Sequence, residues 1–98
     1  MIDKYILEGK TPVPCDLMTW ARALENQAAN RVADTEKDGI RVSTVFLGLD
    51  HSFGGPVPLL FETMIFGGEH DEYQERCSTW DEAEAMHKRA CALAGLGS

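Results

Sequence analysis

Two runs of β-branched and aromatic residues constrain the fold of this chain more than any other feature. The runs cover residues 41–49 and 59–66, and neither has helical periodicity, so we predict two strands. Residues 50–58 between them are dense in glycine and proline and are too many for a tight hairpin turn. Because irregular segments held by rigid strands often carry function, a site is expected in this loop.

Two further strand-like patterns flank these runs. Residues 5–7 and 11–14, on either side of a glycine turn, predict a small N-terminal hairpin whose prolines restrict it to an edge. Alternation over residues 73–78 predicts a third main strand after the turn at 67–71. An antiparallel meander is the simplest topology for this order.

Two helices complete the expected fold. Asp16 can cap a helix whose apolar residues repeat over residues 17–33. Thr79 and Glu82 have the spacing of a capping box, and Gly95 can end the second helix in a left-handed conformation. The predicted fold is α+β, an antiparallel three- to four-stranded sheet with two helices packed on one face. The stripe expected to face the sheet consists of Ala83, Met86, Ala90, Leu93 and Ala94.

Length and charge limit the function classes. A chain of 98 residues supports one domain, 1–98. Sixteen acidic against nine basic residues give a net charge of −7, which argues against a nucleic-acid partner. No apolar run approaches the roughly 18 to 20 residues that cross a bilayer, and no signal-peptide pattern opens the chain. We therefore expect a cytoplasmic protein without a membrane partner.

The three cysteines, Cys15, Cys77 and Cys91, are odd in number and widely spaced. This pattern indicates neither a disulfide framework nor a zinc site, so free thiols in a reducing compartment are expected. No cofactor is indicated.

Histidines and carboxylates next to the predicted turns are the candidates for catalysis or metal binding. Asp50 and His51 follow one strand, and His70 and Asp71 follow the next, so a meander places the two pairs at opposite ends of the sheet. The separation is about 25 Å at about 3.3 Å per residue, which excludes a shared metal site. A mononuclear site that adds His87 to the first pair stays open, against the simpler expectation that Asp50 caps the turn and His51 is exposed.

Glu62 interrupts an otherwise apolar strand. It is either a general base whose pKa is raised by burial, acting with Asp50 and His51, or a partner in an ion pair. Structural pairing is the usual fate of such a carboxylate, and simple exposure is a third outcome. The candidate ion-pair partners are Arg41, Arg76 and Lys88.

Glycine pairs and aromatic residues suggest turns and binding. Gly54-Gly55 and Gly67-Gly68 match no phosphate-binding pattern and are better explained by turns. Trp20 and Trp80 are expected to pack against the sheet; alternatively, one of them forms an exposed aromatic patch with Phe53. The predicted ligand- or partner-binding residues are His51, Phe53, Gly54, Gly55 and Trp80.

Three stretches carry a family resemblance. VSTVFLGLDH at residues 42–51, LFETMIFGG at 60–68 and STWDEAE at 78–84 resemble a group of small bacteriophage and prophage proteins that has no assigned activity. The resemblance implies a phage context and action in the host cytosol, and it transfers no catalytic residue.

The expected function is non-catalytic binding of a host protein or a small host molecule. Negative charge favours a basic protein surface as the partner. The alternative is a small enzyme that uses Asp50, His51 and Glu62, and a structural virion component is a third class. A sheet with one uncovered face also predicts self-association, for which a homodimer is the simplest form.

Overall fold

The computed structural model describes residues 3–25 and 30–96 and contains six strands and two helices in those ranges. Their bounds are β1 (Tyr5–Glu8), β2 (Thr11–Pro14), α1 (Leu17–Leu24), β3 (Arg31–Lys37), β4 (Ile40–Phe46), β5 (Phe61–Phe66), β6 (Gln74–Cys77) and α2 (Trp80–Leu93).

The strands form two antiparallel sheets. The main sheet has four strands in the order β3-β4-β5-β6, and β1 pairs with β2 in the predicted N-terminal hairpin. Helix α2 packs across all four strands of the main sheet, whereas α1 contacts β1. The predicted α+β fold is therefore confirmed. Helix α2 covers one face of the main sheet, but the expectation that both helices pack on that face does not hold for α1, which packs against the N-terminal hairpin instead.

The predicted first helix is wrong beyond Leu24, because residues 31–37 form β3. Residues 26–29 of that prediction lie outside the described residues. Asp38 and Gly39 both have positive φ, 54° and 81°, as a two-residue type I′ hairpin turn requires, and they join β3 to β4. The fourth strand of the main sheet is therefore β3, and the N-terminal strand belongs to a separate hairpin.

Helix α2 has the predicted ends. The Thr79 hydroxyl accepts from the Glu82 backbone N–H at 3.1 Å, and the Glu82 carboxylate accepts from the Thr79 N–H at 3.1 Å. At the other end Gly95 has a φ of 82°, and its N–H donates to the Ala92 carbonyl while the next N–H donates to Cys91. These are the two bonds of a Schellman cap.

The core lies between α2 and the sheet, in two apolar clusters. Val42 on β4 and Ile65 on β5 belong to one cluster, and Phe46 and Phe61 on the same strands belong to the other. The buried residues of α2 are Ala83, Met86, His87, Ala90 and Cys91. The predicted stripe is thus correct except near its end, where Leu93 is 42% exposed because the helix rotates it away from the sheet.

A polar group separates the two clusters. Thr44 and Thr63 lie between the apolar residues of β4 and β5, and both are fully buried. The Thr44 Oγ1 lies 2.7 Å from His87 Nδ1 and 2.5 Å from Thr63 Oγ1, and Thr35 Oγ1 lies 2.9 Å from His87 Nε2. His87 therefore joins α2 to three strands through hydroxyl groups.

The opposite face of the sheet carries paired charges. Arg41 binds the Asp34 carboxylate at 2.8 Å, and Arg76 binds Glu62 at 2.9 Å. Phe66 is partly exposed beneath the Arg41 guanidinium, 5.9 Å from the ring centroid. Charge and apolar surface alternate on this face, and the predicted homodimer stays a prediction.

Candidate functional site

The loop of residues 50–58 is anchored at both ends by Asp50. Its Oδ1 accepts from the Ser52 N–H at 2.8 Å and from the Leu59 N–H at 3.0 Å. These hydrogen bonds, the Ser52 bond above all, hold the pKa of Asp50 below its usual value. The His51 N–H donates to the Leu59 carbonyl at 3.0 Å, which closes the base of the loop. The expectation that Asp50 caps this turn is therefore confirmed.

His51 is half-buried rather than simply exposed. Its Nδ1 lies 2.9 Å from the Leu49 carbonyl oxygen, which can only accept, so Nδ1 carries a proton. Its ring meets Phe53 edge-on, with the centroids 6.4 Å apart. The imidazole thus supports the next aromatic side chain of the loop.

Phe53 is the most exposed large apolar side chain among the described residues, at 89%. Its φ of 54° lies in the left-handed region, which costs a residue other than glycine roughly 1–2 kcal/mol. Neither the exposure nor the backbone conformation stabilises the fold. Features that oppose stability in this way are typical of functional surfaces.

Glycine completes the turn beside Phe53. Gly54 has a φ of 89°, and the Gly55 N–H donates to the Ser52 carbonyl at 3.2 Å. An open depression of about 340 Å³ lies next to the turn. It is lined by Asp3, Asp50, Phe53 and Gly54.

Helix α1 is attached to the segment that enters this loop. The Trp20 indole donates to the Gly48 carbonyl at 3.0 Å, and the Asp50 N–H donates to the Asp3 carbonyl at 2.9 Å. Helix α1 is therefore anchored just before the loop, and we call the exposed apolar residues of these two segments together the apolar end. They are Leu17, Met18, Leu24, Phe53 and Val57.

The remaining candidates lie elsewhere. Glu62 faces the side of the sheet opposite α2, where it accepts hydrogen bonds from Arg76 and Gln74, so the predicted ion pair is confirmed. His70 and Asp71 follow β5 at the other end of the sheet, as predicted, and the Asp71 carboxylate accepts from the Gly67 N–H at 2.7 Å. The structure therefore does not bring these groups to the loop.

The contacts of His87 do not support the hypothesis of a mononuclear metal site formed by Asp50, His51 and His87. Both ring nitrogens of His87 lie against threonine hydroxyls in the core, so His87 does not join Asp50 and His51. Within residues 3–25 and 30–96, no group of three or more histidine, cysteine or carboxylate side chains is placed to hold a metal ion.

Trp80 packs against the apolar cluster on the main sheet, as expected, whereas Trp20 lies on α1, which contacts the N-terminal hairpin, and is half-buried beside Gly48. Trp80 meets Phe61 edge-on at 6.2 Å between centroids, and Lys10 lies 5.7 Å from its ring. Trp80 borders a depression shared with the β1–β2 turn, a different surface from the loop that carries Phe53. Of the predicted binding residues, His51, Phe53, Gly54 and Gly55 lie together and Trp80 lies apart.

The glycine pairs are turns. Gly67, Gly68 and Gly54 have φ values of 88°, 74° and 89°, so the need for a positive φ explains why glycine occupies these three positions.

None of the helices in the described residues is long and apolar enough to cross a membrane. Comparisons with known protein families, curated proteins and solved structures found no match.

Proposed function

We propose that this chain is a non-catalytic binding protein that docks a partner protein on its apolar end. The observation that carries the proposal is the state of Phe53, which is 89% exposed in a left-handed backbone conformation. Aromatic side chains that can be buried by a partner supply much of the binding energy at protein interfaces. The exposed Phe53 ring, which lowers the stability of the free protein, becomes buried only when a partner binds.

The anchored base of the loop supports a docking role. The Asp50 carboxylate accepts hydrogen bonds from the Ser52 and Leu59 N–H groups, and the His51 N–H donates to the Leu59 carbonyl. These bonds fix both ends of the loop. Less conformational entropy is then lost when a partner binds, which favours affinity. Val57, more than half exposed on the same loop, adds a second apolar contact.

The shape of the surface favours a protein over a small molecule. Pockets for small ligands are concave and bury most of the ligand surface. The depression beside Phe53 is open, and four of the described residues line it. A protruding aromatic side chain next to an open depression is better suited to contact with the surface of another protein.

The same contacts argue against the enzyme alternative. Asp50 Oδ1 is occupied by two backbone N–H groups, His51 Nδ1 donates to a backbone carbonyl, and Glu62 is paired with Arg76. General acid–base catalysis needs such groups within hydrogen-bond reach of one reacting centre. Each of the three groups instead bonds to a different part of the chain.

The resemblance to phage proteins supports a bacterial host protein as the partner. The net charge of −7 favours a basic surface on it, because complementary charge accelerates encounter.

Photo-crosslinking in bacterial cells tests the proposal. A benzophenone side chain placed at Phe53 is expected to give a discrete covalent adduct with one protein. The matched control places the same side chain at Leu93, which is 42% exposed at the end of α2. Identical adducts from both positions, or no adduct from Phe53, would contradict docking on the apolar end.

A further inference from the structure

The geometry points to an arginine side chain of the partner as the group that docks beside Phe53, in the depression bordered by Asp3 and Asp50. This inference rests on the proposed function and adds the chemistry of the contact.

The charge beside Phe53 is negative. Asp50 uses Oδ1 for both backbone hydrogen bonds, and no salt bridge to its carboxylate is present among residues 3–25 and 30–96. Within residues 3–25 and 30–96, the ion-pair partner of Asp3 is the adjacent Lys4, at 3.2 Å. An exposed ion pair of this kind contributes little to stability, so a cation of the partner protein can replace Lys4 beside Asp3.

The aromatic ring selects the kind of cation. A guanidinium stacks on an aromatic face and binds carboxylates through its planar set of N–H donors. An ammonium makes the same charge contact but is more strongly hydrated and lacks the plane that stacks. A ring beside an open depression that two aspartates also line therefore favours arginine over lysine.

Isosteric variants distinguish the effect of the Asp50 charge on binding from its effect on the structure of the loop. Asp50→Asn removes the charge and keeps an oxygen that can accept the Ser52 and Leu59 hydrogen bonds. Phe53→Leu keeps an apolar side chain and removes the aromatic face. Glu36→Gln removes the same charge from β3, at an exposed position away from the loop, and is the matched control.

The readout is the adduct formed by a benzophenone at Val57, on the same loop, in bacterial cells. Asp50→Asn is expected to lower the adduct yield about tenfold, as the loss of one charged contact implies, while Glu36→Gln leaves it within about twofold. Phe53→Leu is expected to lower the yield as well. Proteolytic mapping of the adduct is expected to place an arginine of the partner in the crosslinked peptide.

The outcomes distinguish the inference from the function on which it rests. An adduct that persists equally in Asp50→Asn and in Glu36→Gln would overturn the arginine contact and leave docking on the apolar end intact. An adduct whose crosslinked peptide holds lysine and no arginine would also overturn it. Absence of any adduct from both loop positions would overturn the proposed function itself.

Discussion

Thr44 Oγ1 lies 2.7 Å from His87 Nδ1, in the polar group that separates the two apolar clusters of the core. Thr35 Oγ1 lies 2.9 Å from the other ring nitrogen, and Thr63 Oγ1 bonds to Thr44. Whichever neutral tautomer the ring adopts, one nitrogen donates and the other accepts, and hydroxyl groups can do both. The imidazole is therefore fully satisfied between α2 and the sheet.

Removing the Thr44 hydroxyl is expected to destabilise the fold. In Thr44→Val the shape of the side chain is retained, but His87 Nδ1 and Thr63 Oγ1 lose a buried partner. The free energy of unfolding, measured by urea denaturation, is expected to fall by about 1–3 kcal/mol. Ser43→Ala, on the opposite face of the same strand, is the control and is expected to change it by less than about 0.5 kcal/mol. Equal effects of the two substitutions would contradict a structural role for this network.

Mild acid is expected to weaken the fold through His87. Burial lowers the pKa of His87, and the opposing effect of Asp34 is smaller. Below the unfolded value of about 6.5 the unfolded chain binds a proton that the folded chain resists, so the free energy of unfolding falls as the pH drops toward the folded pKa. His87→Gln is expected to be less stable at pH 7 and to lose less stability between pH 7 and pH 5.

The other titrating groups do not confuse this comparison. His51 and His70 are present in both proteins, so their contributions cancel in the difference. Hydrogen bonds lower the pKa of Asp16, Asp34 and Asp50, whose stabilisation is present above about 3.8 and is lost as the pH falls further. Parallel stability curves for the two proteins between pH 7 and pH 5 would show that His87 does not cause the acid effect.

Local patterns predicted much of the fold, and long-range packing decided the rest. The capping box of Thr79 and the hairpin around Gly9 are set by neighbouring residues, and both were predictable. The predicted helix over residues 17–33 was wrong at its C-terminal end, where β3 begins at Arg31, although the Asp38-Gly39 pair is a strong signal for a type I′ hairpin.

The site was predictable only in part. Glycine and proline marked the loop that presents Phe53, and its exposed aromatic was an open alternative in the sequence. In the sequence, His87 was a candidate third ligand for a metal at Asp50 and His51, and no local pattern shows that Thr35 and Thr44 meet its ring. Those contacts join residues 52 and 43 positions apart, and the Thr35 contact also depends on strand β3, which was not predicted from the sequence.

Gly67 is expected to tolerate no side chain. A Cβ at this position would lie 2.5 Å from the Gly39 carbonyl oxygen, and its φ is 88°. Gly95 also has a positive φ, 82°, but no atom of the residues that the structure describes lies within 4 Å of the added Cβ beyond its own neighbours, so Gly95→Ala measures the backbone cost, about 1–2 kcal/mol. In thermal unfolding, Gly67→Ala is expected to lose clearly more stability than Gly95→Ala. Equal losses would mean that the turn moves away from Gly39 without cost.

Cys77 is expected to react slowly with thiol reagents in the folded protein. Burial, reinforced by the charge of Glu82, raises the pKa of Cys77 to about 11. At pH 8 about one thiol in a thousand is then ionised, roughly two orders of magnitude below an ordinary cysteine of pKa about 8.5. Reaction with an aromatic disulfide reagent at pH 8 is expected to modify Cys77 only in a slow phase that urea accelerates. Cys77→Ser should remove that slow phase and preserve any faster one; loss of a fast phase in this variant would show that the Cys77 thiol is readily ionised in the folded chain.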